Sequence, residues 1–233
     1  MSQRGNILFL ILLAVVLFAA LSYAVTSSTR GGGKDASKES LQSTVALLHN
    51  NMMAARSTLL RMTTIGGYQP WQIDFSKAGY SSSSPNATCT VAACKLHDPA
   101  GGGFTGYTIP AKYWQDDSIC TSASTWAGRY FFYSLTVKGI GIDNQSDVVM
   151  LHGSVNDALC MAVNDASGIT NPSGVPPTDA AFGNAYSGGL SQEYTLTNAL
   201  QLGDAAADVG GKQMICTKQA NNCNYVFYVL MER

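Results

Sequence analysis

Six cysteines lie between Cys89 and Cys223 of a 233-residue chain, and none lies outside that stretch. Such residues can form disulfides or bind metal, and spacing decides which. Cys216 and Cys223 bracket the segment KQANN between two runs that read as strands, so they are expected to bridge a hairpin. Cys89 and Cys94 are close enough to clip a local loop, which leaves Cys120 and Cys160 as a longer-range pair. The competing chemistry is zinc, because Cys89, Cys94 and His97 have a spacing that a metal could use. No fourth ligand stands nearby, and an oxidising location would compete for the thiols. Asp143, Asn144, Ser146 and Asp147 hold enough oxygens to surround calcium, but they lack the spacing and closing Glu of an EF-hand. A plain turn explains them better. The histidines His49, His97 and His152 sit in unrelated sequence contexts. No phosphate loop, HExxH or dinucleotide fingerprint appears, and no Ser/His/Asp or Cys/His set is visible along the chain, although such sets assemble only in space. The residues therefore point to a non-enzymatic protein with no metal and no cofactor.

Charge adds further exclusions. Lys and Arg total 14 against 15 Asp and Glu, and charged residues make up only 12% of the chain. That balance gives no electrostatic case for nucleic acid. Gly, Ser, Thr and Asn carry the polarity instead, which implies a loop-rich surface. Six cysteines in a polar, Gly-rich region fit an oxidising compartment.

An apolar segment comes before this body. Ile7 to Val25 reads ILFLILLAVVLFAALSYAV, without a charge. Nineteen helical residues rise about 28 Å, close to the hydrocarbon thickness of a bilayer. A transmembrane helix over residues 6–27 is expected, contacting inner-membrane lipid. The alternative is a cleaved secretory signal, for which Ser22-Tyr23-Ala24 offers small residues. Against cleavage, the apolar run exceeds the usual signal core. Arg4 before the helix and Arg30, Lys34 and Lys38 after it would by themselves place the body in the cytoplasm. The cysteines argue for the outside. The expected location is the inner membrane, single-pass, with the body in the periplasm or on an extracellular filament.

Residues 28–34 contain Gly31-Gly32-Gly33 and predict a hinge that interrupts or loosens the helix. Residues 35–65 then show a helical stripe, Leu41, Val45, Leu48, Met52, Ala55, Leu59 and Met62, with Gly66-Gly67 as its stop. Packing on a sheet, a coiled coil between copies and contact with another protein all fit that stripe. Residues 66–233 form the extracytoplasmic domain. Arg129 to Lys138 and Val148 to His152 read as strands, and Ser154 with Asp157 resembles a helix start whose end is Gly168. Lys212 to Thr217 and Asn224 to Met231 read as a terminal hairpin, and residues 171–193 as a long loop. The order predicts an α+β fold: an amphipathic helix packed on an antiparallel β-sheet, braced by disulfides.

The first 65 residues resemble type IV pilins and the pseudopilins of type II secretion. The features that carry the likeness are the short basic leader Met1-Ser2-Gln3-Arg4-Gly5, the apolar helix directly after it and the amphipathic continuation. The resemblance implies cleavage by a prepilin peptidase between Gly5 and Asn6, so residues 1–5 would be the leader. It also implies assembly with other pilin-like subunits and an anchor helix that continues onto an antiparallel sheet. Three features depart from the pattern. Asn6 stands where the family usually has Phe, Leu10 where it usually has Glu, and Gly31-Gly32-Gly33 is expected to break the family's continuous helix. The expected function is a structural subunit of an envelope filament or secretion pseudopilus. The alternative is a membrane-tethered periplasmic binding or scaffolding module that never polymerises. An envelope hydrolase is a third class, which needs a pocket of convergent titratable groups.

Overall fold

The computed structural model describes residues 4–77, 86–116, 118–120, 127–142, 147–179, 210–219 and 222–232. Within its first helix, side chains are described over 9–23 and from 37 onward. The chain divides into two compact units, Met1–Ser43 and Thr44–Arg233.

Helix α1 runs from Arg4 to Thr64. The expected break at residues 28–34 does not occur: backbone helix continues through all three glycines. Glycine keeps both its N–H and its C=O, so it leaves the hydrogen-bond ladder intact. It costs about 1 kcal/mol per residue against alanine, which favourable propagation on both sides can offset. The amphipathic segment is thus the C-terminal part of one helix. The stop falls where the sequence places it. The amides of Ile65 and Gly66 both donate to the Arg61 carbonyl, and Gly67 takes a left-handed φ of 70° that turns the chain away.

Among the described residues four strands follow, β1 Tyr130–Leu135, β2 Asp147–His152, β3 Met214–Lys218 and β4 Asn224–Met231. They form a sheet in the order β1-β2-β4-β3 in which every neighbouring pair is antiparallel. All four lie within two or three residues of the expected strands. Between β2 and β3 comes helix α2, Asp157–Ser167. Gly168 closes it with φ 67°, as expected. Its N-cap is Asn156, whose side chain accepts from the Leu159 amide, not the expected Ser154. Ser154 has a left-handed φ of 53° and lies before the cap, in the turn leaving β2.

The register sorts the strand residues onto two faces. Phe131, Tyr133, Leu135, Val149, Leu151, Ile215, Phe227 and Val229 form one buried cluster with Ile140 and Ile169. The opposite face carries the cross-strand row Phe132–Met150–Tyr228–Met214. The end of α1 packs on that second face. Its stripe is buried at Val45, Leu48, Met52, Ala55, Leu59 and Met62. Against β4, the Tyr228 hydroxyl donates to the Met53 sulfur, His49 meets the Tyr228 ring edge-on at 6.1 Å, and Arg56 lies 3.8 Å from Glu232. Of the three partners open to the stripe, it is the chain's own sheet that buries it.

This packing gives a direct test of which helix face is internal. Leu48→Ala and Leu59→Ala should each cost about 2–5 kcal/mol in urea unfolding, because both side chains are fully buried. Leu47→Ala should cost under about 1 kcal/mol, because Leu47 is 48% exposed.

Candidate functional site

The processing residues singled out by the sequence lie at the start of α1, and the cysteines lie in the body. Gly5 and Asn6 lie in the first turns of α1, and their side chains are outside the described residues. From Phe9 to Tyr23 every side chain is exposed; Leu13 is 47% exposed and Tyr23 78%. Among the described residues no helix is long and apolar enough to cross a membrane. The run whose side chains are described ends at Phe9 and Tyr23, a rise of about 22 Å.

All six cysteines are bonded. Cys89–Cys94 is the expected local clip. It ties up both sulfurs of the zinc alternative, and His97 turns its Nδ1 to the Phe104 carbonyl at 2.6 Å. The other pairings correct the sequence reading. Cys223 bonds Cys120 and Cys216 bonds Cys160, so neither Cys216–Cys223 nor Cys120–Cys160 exists. Strand register is the reason. Cys216 stands opposite Val226, whereas the Cys223 carbonyl accepts from Gln219. Cys223 immediately precedes β4, three residues before Val226, and the strand's alternation carried back by that odd step points it to the other face. Cys223 therefore joins the buried cluster with Cys120, while Cys216 faces α2.

A side-chain amide accompanies each of these long-range bonds. Gln115 donates to the Asn222 carbonyl at 2.7 Å and accepts from the Asn224 amide at 2.8 Å, spanning Cys223. Asn164 donates to the Cys216 carbonyl at 2.9 Å and accepts from the Cys216 amide at 2.8 Å. Asn164 is four residues after Cys160 on α2, so one helix face supplies both the sulfur and the carboxamide. That spacing was a readable signal for Asn164. Nothing in the sequence marks Gln115.

Of the suspected calcium ligands, residues 143–146 lie outside the described residues. Asp147 is fully buried and turns its carboxylate to the Val137 amide at 3.1 Å. His49 is exposed on α1. The other two histidines are not unrelated in space. Cross-strand pairing sets Tyr130 beside His152, with ring centres 5.8 Å apart, and His97 lies 5.9 Å from the same tyrosine. Lys77 donates to the Tyr130 hydroxyl at 2.9 Å. Gly106 lets the backbone reach that ring: a Cβ there would lie 2.1 Å from the hydroxyl oxygen. His152 is fully buried, and neither ring nitrogen has a hydrogen-bond partner among the described residues. Burial pushes its pKa down to about 3, so the ring is neutral at ordinary pH. Burial also lowers His97, against the opposing pull of the Phe104 carbonyl. No group of three or more His, Cys, Asp or Glu suited to a metal occurs among the described residues. Comparison with protein-family models, curated proteins and solved structures gives no match in any of the three.

Two outcomes are expected. Asn164→Ala leaves the Cys216 amide and carbonyl without their partner and should lower stability by about 1–3 kcal/mol while Cys160–Cys216 still forms. Calorimetry with mass mapping of the non-reduced protein checks both. The second concerns acid. The unfolded chain binds a proton at residue 152 near the ordinary histidine value of 6.5, whereas the folded chain resists it down to about 3. Stability from this residue is therefore complete above pH 6.5 and falls by about 1.4 kcal/mol for each unit below it, down to about pH 3. His97 adds a smaller loss of the same sign. Urea midpoints for His152→Met across pH 4–7 should fall less steeply than those of the native protein.

Proposed function

We propose that this protein is a pilin-like structural subunit of an envelope filament or secretion pseudopilus, held in the inner membrane by its N-terminal helix before assembly. The observation that carries the reading is the division of labour along α1. Its apolar start is exposed from Phe9 to Tyr23, and its end is buried on an antiparallel sheet. Fully burying one large aliphatic side chain stabilises by about 1.5–3 kcal/mol, so a long bare run of them needs a bilayer or neighbouring helices as its surroundings. With its flanks, Ile7 to Val25 is long enough to span. The bilayer supplies the first environment. Packing among like helices supplies the second, through close contact once lipid is left behind. The three disulfides support a body on the oxidising side of the membrane. The basic leader ending at Gly5 supports removal of residues 1–5 by a prepilin peptidase.

N-terminal sequencing of the mature protein, together with shearing of native cells, tests this reading. A start at Asn6 and recovery of the protein in sheared filaments are expected. A start at Met1 with all protein left in the membrane would replace it with the tethered periplasmic module. A start near Val25 would show a cleaved secretory signal.

A further inference from the structure

We propose that this chain reaches its native cross-links through a misbridged intermediate, Cys120–Cys160 with Cys216–Cys223, and that a thiol–disulfide isomerase is the partner that resolves it. The inference rests on the disulfide connectivity and is independent of whether the protein forms filaments.

The two long-range bonds are nested. Cys120–Cys223 spans 103 residues and encloses Cys160–Cys216, which spans 56. Pairing in chain order would instead join Cys120 to Cys160 and Cys216 to Cys223. In an unfolded chain the frequency of contact falls with about the three-halves power of loop length. Cys223 therefore meets Cys216 roughly 50-fold more often than it meets Cys120. By the same scaling Cys216 meets Cys223 roughly 20-fold more often than it meets Cys160. Random early oxidation favours the wrong pair.

That wrong pair is incompatible with the fold. Cys216 and Cys223 face opposite sides of the sheet, so a bond between them prevents the register in which Cys216 faces Val226 and Gln219 bonds Cys223. The groups that select the correct partners come together late. Gln115 reaches Asn222 and Asn224 across 107 and 109 residues, and Asn164 reaches Cys216 across 52. None of these contacts exists until the sheet, α2 and the segment around Gln115 have docked. Once the native bonds form, all four sulfurs belong to fully buried residues and are beyond the reach of an external thiol. The misbridged chain lacks that protection.

Three exchanges convert one form to the other with no net oxidation. The isomerase thiolate attacks the Cys223 sulfur, forming a mixed disulfide and releasing the Cys216 thiolate. Cys216 attacks the Cys160 sulfur, which forms the native Cys160–Cys216 bond and releases the Cys120 thiolate. Cys120 then attacks Cys223 in the mixed disulfide, forming Cys120–Cys223 and returning the isomerase thiolate. Each step breaks one S–S bond and makes one.

The test is oxidative refolding of the full chain in detergent. Reduced, denatured protein is diluted into glutathione buffer, quenched with acid at intervals and mapped by mass spectrometry, with and without a purified thiol–disulfide isomerase. Peptides joined through Cys216–Cys223 should dominate early and then disappear. The isomerase should speed the appearance of Cys120–Cys223 at least about tenfold. Direct formation of the native pairs at a rate the isomerase does not change would overturn the proposal. The paired variant Cys160→Ala with Cys216→Ala removes both wrong bonds, so its Cys120–Cys223 should form without help. An acceleration in that variant equal to the native protein's would also overturn it.

Discussion

An edge strand presents backbone N–H and C=O groups that no further strand satisfies, and β3 is such an edge. Two neighbours take up its outward groups. Asn164 bonds both groups of Cys216. At Lys218 the amide donates to the Pro177 carbonyl and the carbonyl accepts from the Asp179 amide. An open apolar edge recruits other chains, so filling these positions protects the hairpin from unintended pairing. The arrangement also explains the placement of α2. The helix that supplies Asn164 supplies Cys160, and its Asp157 accepts from the Asn224 side chain at the start of β4 at 2.7 Å. One short helix therefore fixes the edge strand by a sulfur bond and a carboxamide, and its inner neighbour by a carboxylate.

With the hairpin held, the sheet can bury both faces. One closes over aromatic and β-branched side chains together with Cys120 and Cys223. The other receives the end of α1 over Tyr228 and, further along, His97, Phe104 and Phe75 around Tyr130 and Phe132. The two histidines in this second layer sit where apolar side chains would pack with less penalty. Their burial makes the body sensitive to acid through its own core, because protonation must be postponed until the layer opens.

Leu41 to Met62 repeats with steps that only a helix can place on one side, and β4 is apolar enough to require a core on both faces. Those local periodicities determined the α+β plan, the amphipathic end of α1, all four strands and the Gly168 and Gly66-Gly67 stops. The apolar run after Arg4 was legible for the same reason, being a property of consecutive residues. The interruption expected at the three glycines is absent because glycine's propensity is a small local cost, whereas helix continuity is cooperative along the chain.

Partner choice among distant residues was not encoded locally. Cys216 and Cys223 look like a pair because they are near in sequence, yet an odd step along β4 turns them to opposite faces. Tyr130, His97 and His152 look unrelated, yet strand pairing and loop docking gather them. Gln115 carries no sequence signal, and its role exists only after two segments more than a hundred residues apart have met. Composition and spacing determined which elements form. Register and docking, which depend on the whole chain closing on itself, decided which side chains meet.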